Sequence, residues 1–210
     1  MKAKINKTHI LTHYINYALN DEFTSKSIHS FAKKFKISEK EFYKHYTSFD
    51  QISSDVYVSF YDETIKLIMS EIDYNKLDAK NELLAFYYTF FELLSQNRSF
   101  VIQSLGTPLS NLKKAKTLTP LKSKFKDFIK SLQIETLDVK QEKNIEELAW
   151  TQFLFTLKFW LEDDSPSFEK TDLFIEKTVN TSFDLLGITT VENIMDIGKF
   201  FFKEKIKPQF

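Results

Sequence analysis

Apolar residues recur every three or four positions along most of this chain, the spacing of amphipathic helices packed on a common core. Ile10, Leu11, Tyr14, Ile15, Ala18 and Leu19 predict a first helix over about residues 5–20, closed by Asn20-Asp21-Glu22. The next helix has Ile28, Phe31, Ala32 and Phe35 on its inner face, with Thr24 or Ser25 available as its cap. Ser38 and Glu41 form an S-x-x-E capping box, so a helix should begin at Glu39. Ser48 and Gln51 repeat the device at the start of a long helix bearing Ile52, Val56, Phe60, Ile65, Leu67 and Ile68. Residues 36–38 and 46–48 must then be turns. A polar linker, Asp73 to Asp78, leads to an aromatic helix from Leu83 to Leu94. A short helix opens at Asn97-Arg98-Ser99 and breaks at Gly106-Thr107-Pro108. Further helices are expected at about 109–133, 141–163 and 168–186, with Gly187 as a C-cap, followed by an amphipathic stretch over 190–206. About ten helices result, three in an N-terminal head and the rest in a larger body.

Composition narrows the class to all-α. Three Gly and four Pro in 210 residues leave few breaks for turns. Cysteine is absent, which removes disulfides and thiolate metal sites and fits a cytoplasmic address. No apolar run reaches the roughly 18–20 residues of a membrane span, and Met1-Lys-Ala-Lys-Ile-Asn-Lys-Thr-His9 has no apolar signal core. Lys+Arg and Asp+Glu each total 29, but they are unevenly placed. Residues 1–50 carry nine Lys and five acids, a net of +4, which leaves −4 on the remainder. A mildly basic head suits a DNA-facing surface. The 22 Phe exceed what closing a helical core requires and suggest an aromatic-lined cavity or a broad subunit interface.

No catalytic constellation is apparent. Three scattered Gly cannot build a phosphate-cradling loop, and neither a Gly-x-Ser-x-Gly elbow nor H-E-x-x-H occurs. His9 and His13 lie one helical turn apart without a third ligand, so no metal or cofactor is expected. Glu146-Glu147 and Glu162-Asp163-Asp164 read as solvated faces or caps. An enzyme is not expected.

Phe31-Ala32, Ile37-Ser38 and Tyr43-Lys44-His45-Tyr46 carry the most specific signal. In order and spacing they resemble the helix-turn-helix of the TetR family of one-component bacterial repressors. The resemblance implies a DNA-binding head over residues 1–47 and a helical ligand-binding and dimerisation domain over 48–210. The second helix of the pair would enter the major groove. Phe42 and Tyr46 would face inward, with Lys40, Tyr43, Lys44 and His45 directed at phosphate oxygens. Lys26, Ser27, Lys33, Lys36, Ser38 and Glu41 complete the candidate DNA contacts. Three helices packed without a nucleic-acid role are the plain alternative. The chain departs from the family pattern at Lys36, where the turn usually has Gly, at Glu41 in place of a small hydroxyl residue, and at Phe49 in place of Lys. Glu39 adds a second carboxylate, and no Arg precedes Arg98, which removes the best bidentate partner for guanine.

In the body, Phe60, Tyr61, Phe86, Tyr87, Phe90, Phe91, Phe125, Phe128, Trp150 and Phe153 are candidate lining for an apolar or lipid-like ligand; core packing is the alternative for each. The TetR resemblance implies a homodimer through the helices at about 141–163 and 168–186. A second resemblance lies in Phe159-Trp160-Leu161-Glu162-Asp163-Asp164-Ser165-Pro166-Ser167-Phe168-Glu169-Lys170-Thr171-Asp172-Leu173-Phe174. This stretch is similar to a Trp-x-x-Asp-x-Ser…Thr…Phe segment of the TetR-like lipid-binding accessory proteins of ubiquinone biosynthesis. There too a plain account exists, in which Trp160 packs and Asp164 or Ser165 caps the following helix. The basic amphipathic stretch 190–206 could touch a membrane surface, or dock on its own body or a second subunit. Two functional readings follow: a regulator of palindromic operator DNA modulated by an apolar molecule, or a lipid-binding protein that retains the helix-turn-helix shell without using it. Glu39, Glu41, Lys36 and the missing Arg favour the second; Tyr43-Lys44-His45 and the basic head favour the first.

Overall fold

The computed structural model describes residues 6–19, 27–71, 77–106, 116–132, 134 and 139–188. Thr24, Ser25, Lys26 and the stretch 190–206 lie outside them. Among the described residues the regular structure is helical, with no strand. The α-helices are α1 (Lys7–Ala18), α2 (Ile28–Lys34), α3 (Glu39–Tyr43), α4 (Phe49–Glu71), α5 (Ala79–Gln96), α6 (Arg98–Leu105), α7 (Thr119–Ser131), α8 (Val139–Glu162) and α9 (Glu169–Ile188). Short 3-10 turns at Lys116–Leu118 and Pro166–Phe168 precede α7 and α9.

Local chemistry sets most of the helix starts. Asn6 caps α1 by accepting from the His9 N–H at 2.9 Å. Ser27 caps α2, bonding the Ser30 N–H at 3.1 Å while the Ser30 hydroxyl accepts from the Ser27 N–H at 3.2 Å. Ser38 accepts from the Glu41 N–H at 3.1 Å and starts α3 at Glu39. Ser48 accepts from the Gln51 N–H, and the Gln51 carboxamide oxygen takes the Thr47 N–H. Asp78 opens α5 by accepting from the Asn81 N–H at 2.8 Å. Each bond satisfies an N–H that the first helical turn cannot use internally. At the far end of α6, Gly106 adopts φ 73°, where a side chain would clash. The stop expected at Gly187 is not observed: α9 passes through it to Ile188, since glycine in a last turn weakens a helix by only about 1 kcal/mol.

The chain divides into two compact units, residues 1–63 with 92–121 and residues 64–91 with 122–210, so α4, α5 and α7 each contribute to both. The head core of the first unit is Ile10, Tyr17, Phe31, Phe42, Tyr46 and Ile52, with Leu11, Tyr14, Ile28, Phe35, Ile37 and Phe49 packed around it. In the same unit the buried Tyr57 of α4 bonds Ser104 of α6 at 2.5 Å through its hydroxyl. Burial raises that phenol well above its ordinary pKa, the Ser104 bond opposing and the Tyr14 neighbour adding to the rise.

The core of the second unit is aromatic. Phe86, Phe90, Phe125, Phe128, Trp150 and Phe153 are buried, and their ring contacts include Phe86–Phe128 at 4.9 Å and Trp150–Phe153 at 5.1 Å between centroids. Along the α8–α9 seam Phe159 stacks on Phe174 at 4.6 Å. Gln152 links Thr178 and Ser182 by side-chain hydrogen bonds.

Candidate nucleic-acid interface

α2 and α3 are joined by a turn whose hydrogen bonding defines its shape. The Ile37 N–H bonds the Ala32 carbonyl at 3.0 Å and the Lys36 N–H bonds the Lys33 carbonyl at 3.4 Å. These are the two bonds of a Schellman ending, which requires a left-handed residue at the position of Lys36. Lys36 has φ 54°, so a lysine occupies the site that glycine fills most cheaply. The turn swings α3 away from α2 while Phe31 and Phe42 pack edge to face at 5.8 Å.

With Phe42 and Tyr46 buried, α3 is fixed on one side and open on the other. Lys33, Lys36, Lys40 and Lys44 are exposed, and Tyr43 is 52 % exposed although its ring leans on Phe42. His45 is half-buried at the edge of this face. Ser27 and Ser38 are exposed, and their hydroxyls are used in the caps of α2 and α3. Phe49, where the family pattern has Lys, belongs to the head core. Its ring lies 5.8 Å from Phe31 and 6.0 Å from Phe42.

Both carboxylates of α3 have cationic or protonatable partners. Glu39 Oε1 lies 2.8 Å from Nδ1 of His29 on α2, a brace between the two helices. Glu41 accepts from Lys44 Nζ at 2.5 Å. That bond holds the Glu41 carboxyl below its ordinary pKa against slight burial, with the charges of Lys44, His45 and Lys40 acting the same way. On α3 and its C-terminal cap the charges of Lys40 and Lys44 are matched by Glu39 and Glu41, and the positive excess of this face comes from the exposed Lys33 and Lys36 beside it.

Behind α3, Lys7 of α1 pairs with Asp55 of α4 at 2.6 Å, its ammonium 5.5 Å from the Tyr46 ring centre. The Tyr46 hydroxyl is buried without a hydrogen-bond partner within 3.5 Å. Burial, with the Asp55 carboxylate nearby, raises its pKa. His13 stacks on Phe35 at 4.3 Å, and its pKa is lowered by burial and by His9.

The candidate ligand residues do not all fall together. Phe86, Tyr87, Phe90, Phe91, Phe125, Phe128, Trp150 and Phe153 form the aromatic core of the second unit. Phe60 and Tyr61 fall in the first, where Phe60 packs against Tyr57. The acidic stretches were expected to be solvated faces or caps, and here two corrections arise. Glu146 is buried, 3.5 Å from both Lys126 and Lys130 of α7, while Glu147 bonds Lys122 and Lys126. Asp163, rather than Asp164, is the main cap of α9, and Ser165 assists by accepting from the Lys170 N–H at 3.1 Å. Asp164 instead pairs with the Lys170 ammonium at 2.8 Å. No signal short of long-range pairing could have separated these roles in sequence.

Residues 82–201 match the family described as tetracyclin repressor-like, C-terminal domain. That match spans more than half of the 210 residues and lies outside the helix-turn-helix on which the sequence resemblance rested. The chain belongs to the TetR family. No curated protein matches it.

Proposed function

We propose that this protein is a transcriptional regulator that binds palindromic operator DNA as a homodimer and responds to an apolar small molecule. Residues 1–47 form the DNA-binding head in this reading, and residues 48–210 serve ligand binding and dimerisation. One observation carries it: the outer face of α3 offers Lys40, Tyr43 and Lys44, with Lys36 at the preceding turn, while Phe42 and Tyr46 anchor the helix from behind. Ammonium and phenol groups on such a face suit phosphate oxygens. The carboxylates Glu39 and Glu41, the main objection to DNA binding, are each engaged by a neighbour.

The dimer would form through α8 and α9, supported by the 49 % exposed Leu173 and by half-exposed Phe155 and Phe183 on those helices. The ligand would part the rings of the second unit's aromatic core, beginning with Phe125, Trp150 and Phe153. It would release DNA only by favouring one spacing of the two heads over the other.

Titration of full-length protein with a randomised duplex pool at two salt concentrations tests the reading. A regulator binds at low salt with a log–log slope near −0.9 for each phosphate neutralised. Absence of binding at low salt would leave the second reading, a lipid-binding protein with an unused head. Mass spectrometry of small molecules retained by the purified protein tests the apolar ligand.

A further inference from the structure

We propose that Glu41 selects one base of each half-site by accepting from the amino group of cytosine, while Lys44 passes from Glu41 to a phosphate. This rests on the DNA-binding reading above. Glu41 is the third residue of α3, between the exposed Lys40 and the buried Phe42. Its backbone is fixed, because Ser38 accepts its N–H at 3.1 Å. A glutamate three residues after a serine cap ordinarily reaches back to the cap's own N–H. Here the carboxylate turns outward to Lys44 instead. That partner is easily exchanged: both side chains are solvent-exposed, at 54 % and 36 %, and surface pairs of this kind contribute little. Glu39 differs in where its partner sits: His29 belongs to α2, so that pair, itself exposed at 77 % and 45 %, joins two helices.

Once Lys44 is drawn to a phosphate, the carboxylate needs a donor. An ionised carboxylate only accepts. In the major groove cytosine offers its N4 amino group; adenine sets its N6 amino beside the acceptor N7; guanine and thymine present acceptors at the corresponding edge. Cytosine is therefore preferred, adenine second, and the other two are repelled. With the chain's single arginine at position 98, the head has no guanidinium for guanine, and a C·G pair facing Glu41 is read from its cytosine side.

The experiment is selection of bound duplexes from a random library at low salt by the full-length protein and by Glu41→Gln, followed by sequencing and titration of the winners. A carboxamide bonds adenine N6 and N7 together. A cytosine in each wild-type half-site should become adenine for the variant, each protein preferring its own site by roughly five-fold or more. Identical consensus sites for the two proteins, or wild-type binding with no consensus, would overturn the assignment and leave DNA binding intact. Wild type enriching and binding nothing would overturn the DNA-binding reading, and this inference with it.

Discussion

Asp163 closes on Thr171 with one carboxylate oxygen, Oδ2, which accepts from the Thr171 N–H at 2.9 Å and from its hydroxyl at 2.6 Å. The other oxygen, Oδ1, accepts from the Ser165 N–H at 2.8 Å and its hydroxyl at 2.6 Å. Between them Ser167 and Phe168 take left-handed backbone angles, φ 52° and 61°, and Phe168 sets its ring 5.7 Å from the buried Trp160. One carboxylate thus closes the loop, caps α9 and keeps the Trp160 packing in place. The second sequence resemblance consists of these residues, and their arrangement gives the motif a folding role. Burial pushes the Asp163 carboxyl up, but the bonds from Ser165 and Thr171 outweigh it and bring the pKa from 3.8 to about 2.

The linkage sign follows from that depression. Protons favour the unfolded chain, so the Asp163 contribution is complete above about pH 4 and is lost as pH falls toward about 2. Asp163→Asn should lower stability by about 2 kcal/mol at pH 7, read by urea unfolding. The gap between wild type and variant should close as pH drops from 4 to 2. A gap independent of pH would mean that charge is not what holds the loop.

Lys126 should matter more than Lys122. Its ammonium lies 2.6 Å from Glu147 and 3.5 Å from Glu146, whose side chain is only 6 % exposed. Among the described residues Lys122 pairs with the exposed Glu147. Lys126→Met leaves Lys130 as the cation paired with Glu146 among the described residues and should cost about 2 kcal/mol, against less than about 1 kcal/mol for Lys122→Met. Denaturation midpoints at unchanged m-value measure both. Equal costs would show that the buried carboxylate does not depend on Lys126.

The parts legible in sequence were those fixed within four residues. Ser38 with Glu41 and Ser48 with Gln51 announced two helix starts because a cap and its target lie three apart. Even so, the reciprocal arms went elsewhere, Glu41 to Lys44 and Gln51 to Thr47. The start of α2 differs from the expectation because Ser27 has Ser30 three residues on, not the Glu or Gln that marks a capping box. Asp163, Ser165 and Thr171 were marked by the second resemblance, but the burial of Glu146 and the His29–Glu39 brace were not legible, since their partners lie 10 to 20 residues away and depend on how helices meet. Phe49 was read only as a missing lysine; its place among four head-core rings came from tertiary packing.

Tyr46→Phe should stabilise the head. The Tyr46 residue is 1 % exposed and its hydroxyl has no hydrogen-bond partner within 3.5 Å, so removing the oxygen relieves a desolvated polar group beside the Asp55 carboxylate while keeping the ring. The expected gain is about 1 kcal/mol, seen as a raised unfolding midpoint. A loss of stability would reveal a bond from this phenol to the Asp55 carboxylate in solution.

Lys36→Gly separates what the turn costs from what its side chain does. A residue with a β-carbon pays roughly 1–2 kcal/mol at φ near 54°, and glycine pays none. Glycine also gives the unfolded chain more freedom, which returns part of that gain. A net stabilisation of about 0.5–1 kcal/mol is therefore expected. The same change removes an exposed ammonium from the edge of the face assigned to DNA. If Lys36 meets a phosphate there, the variant should bind operator more weakly at low salt, with a log–log salt slope shallower by about 1 for each phosphate no longer neutralised. A protein that is more stable and a weaker binder would mean the strained lysine is retained for its charge. Greater stability with unchanged affinity and slope would take Lys36 out of the interface, and lower stability would show that the turn does not strain the lysine at all.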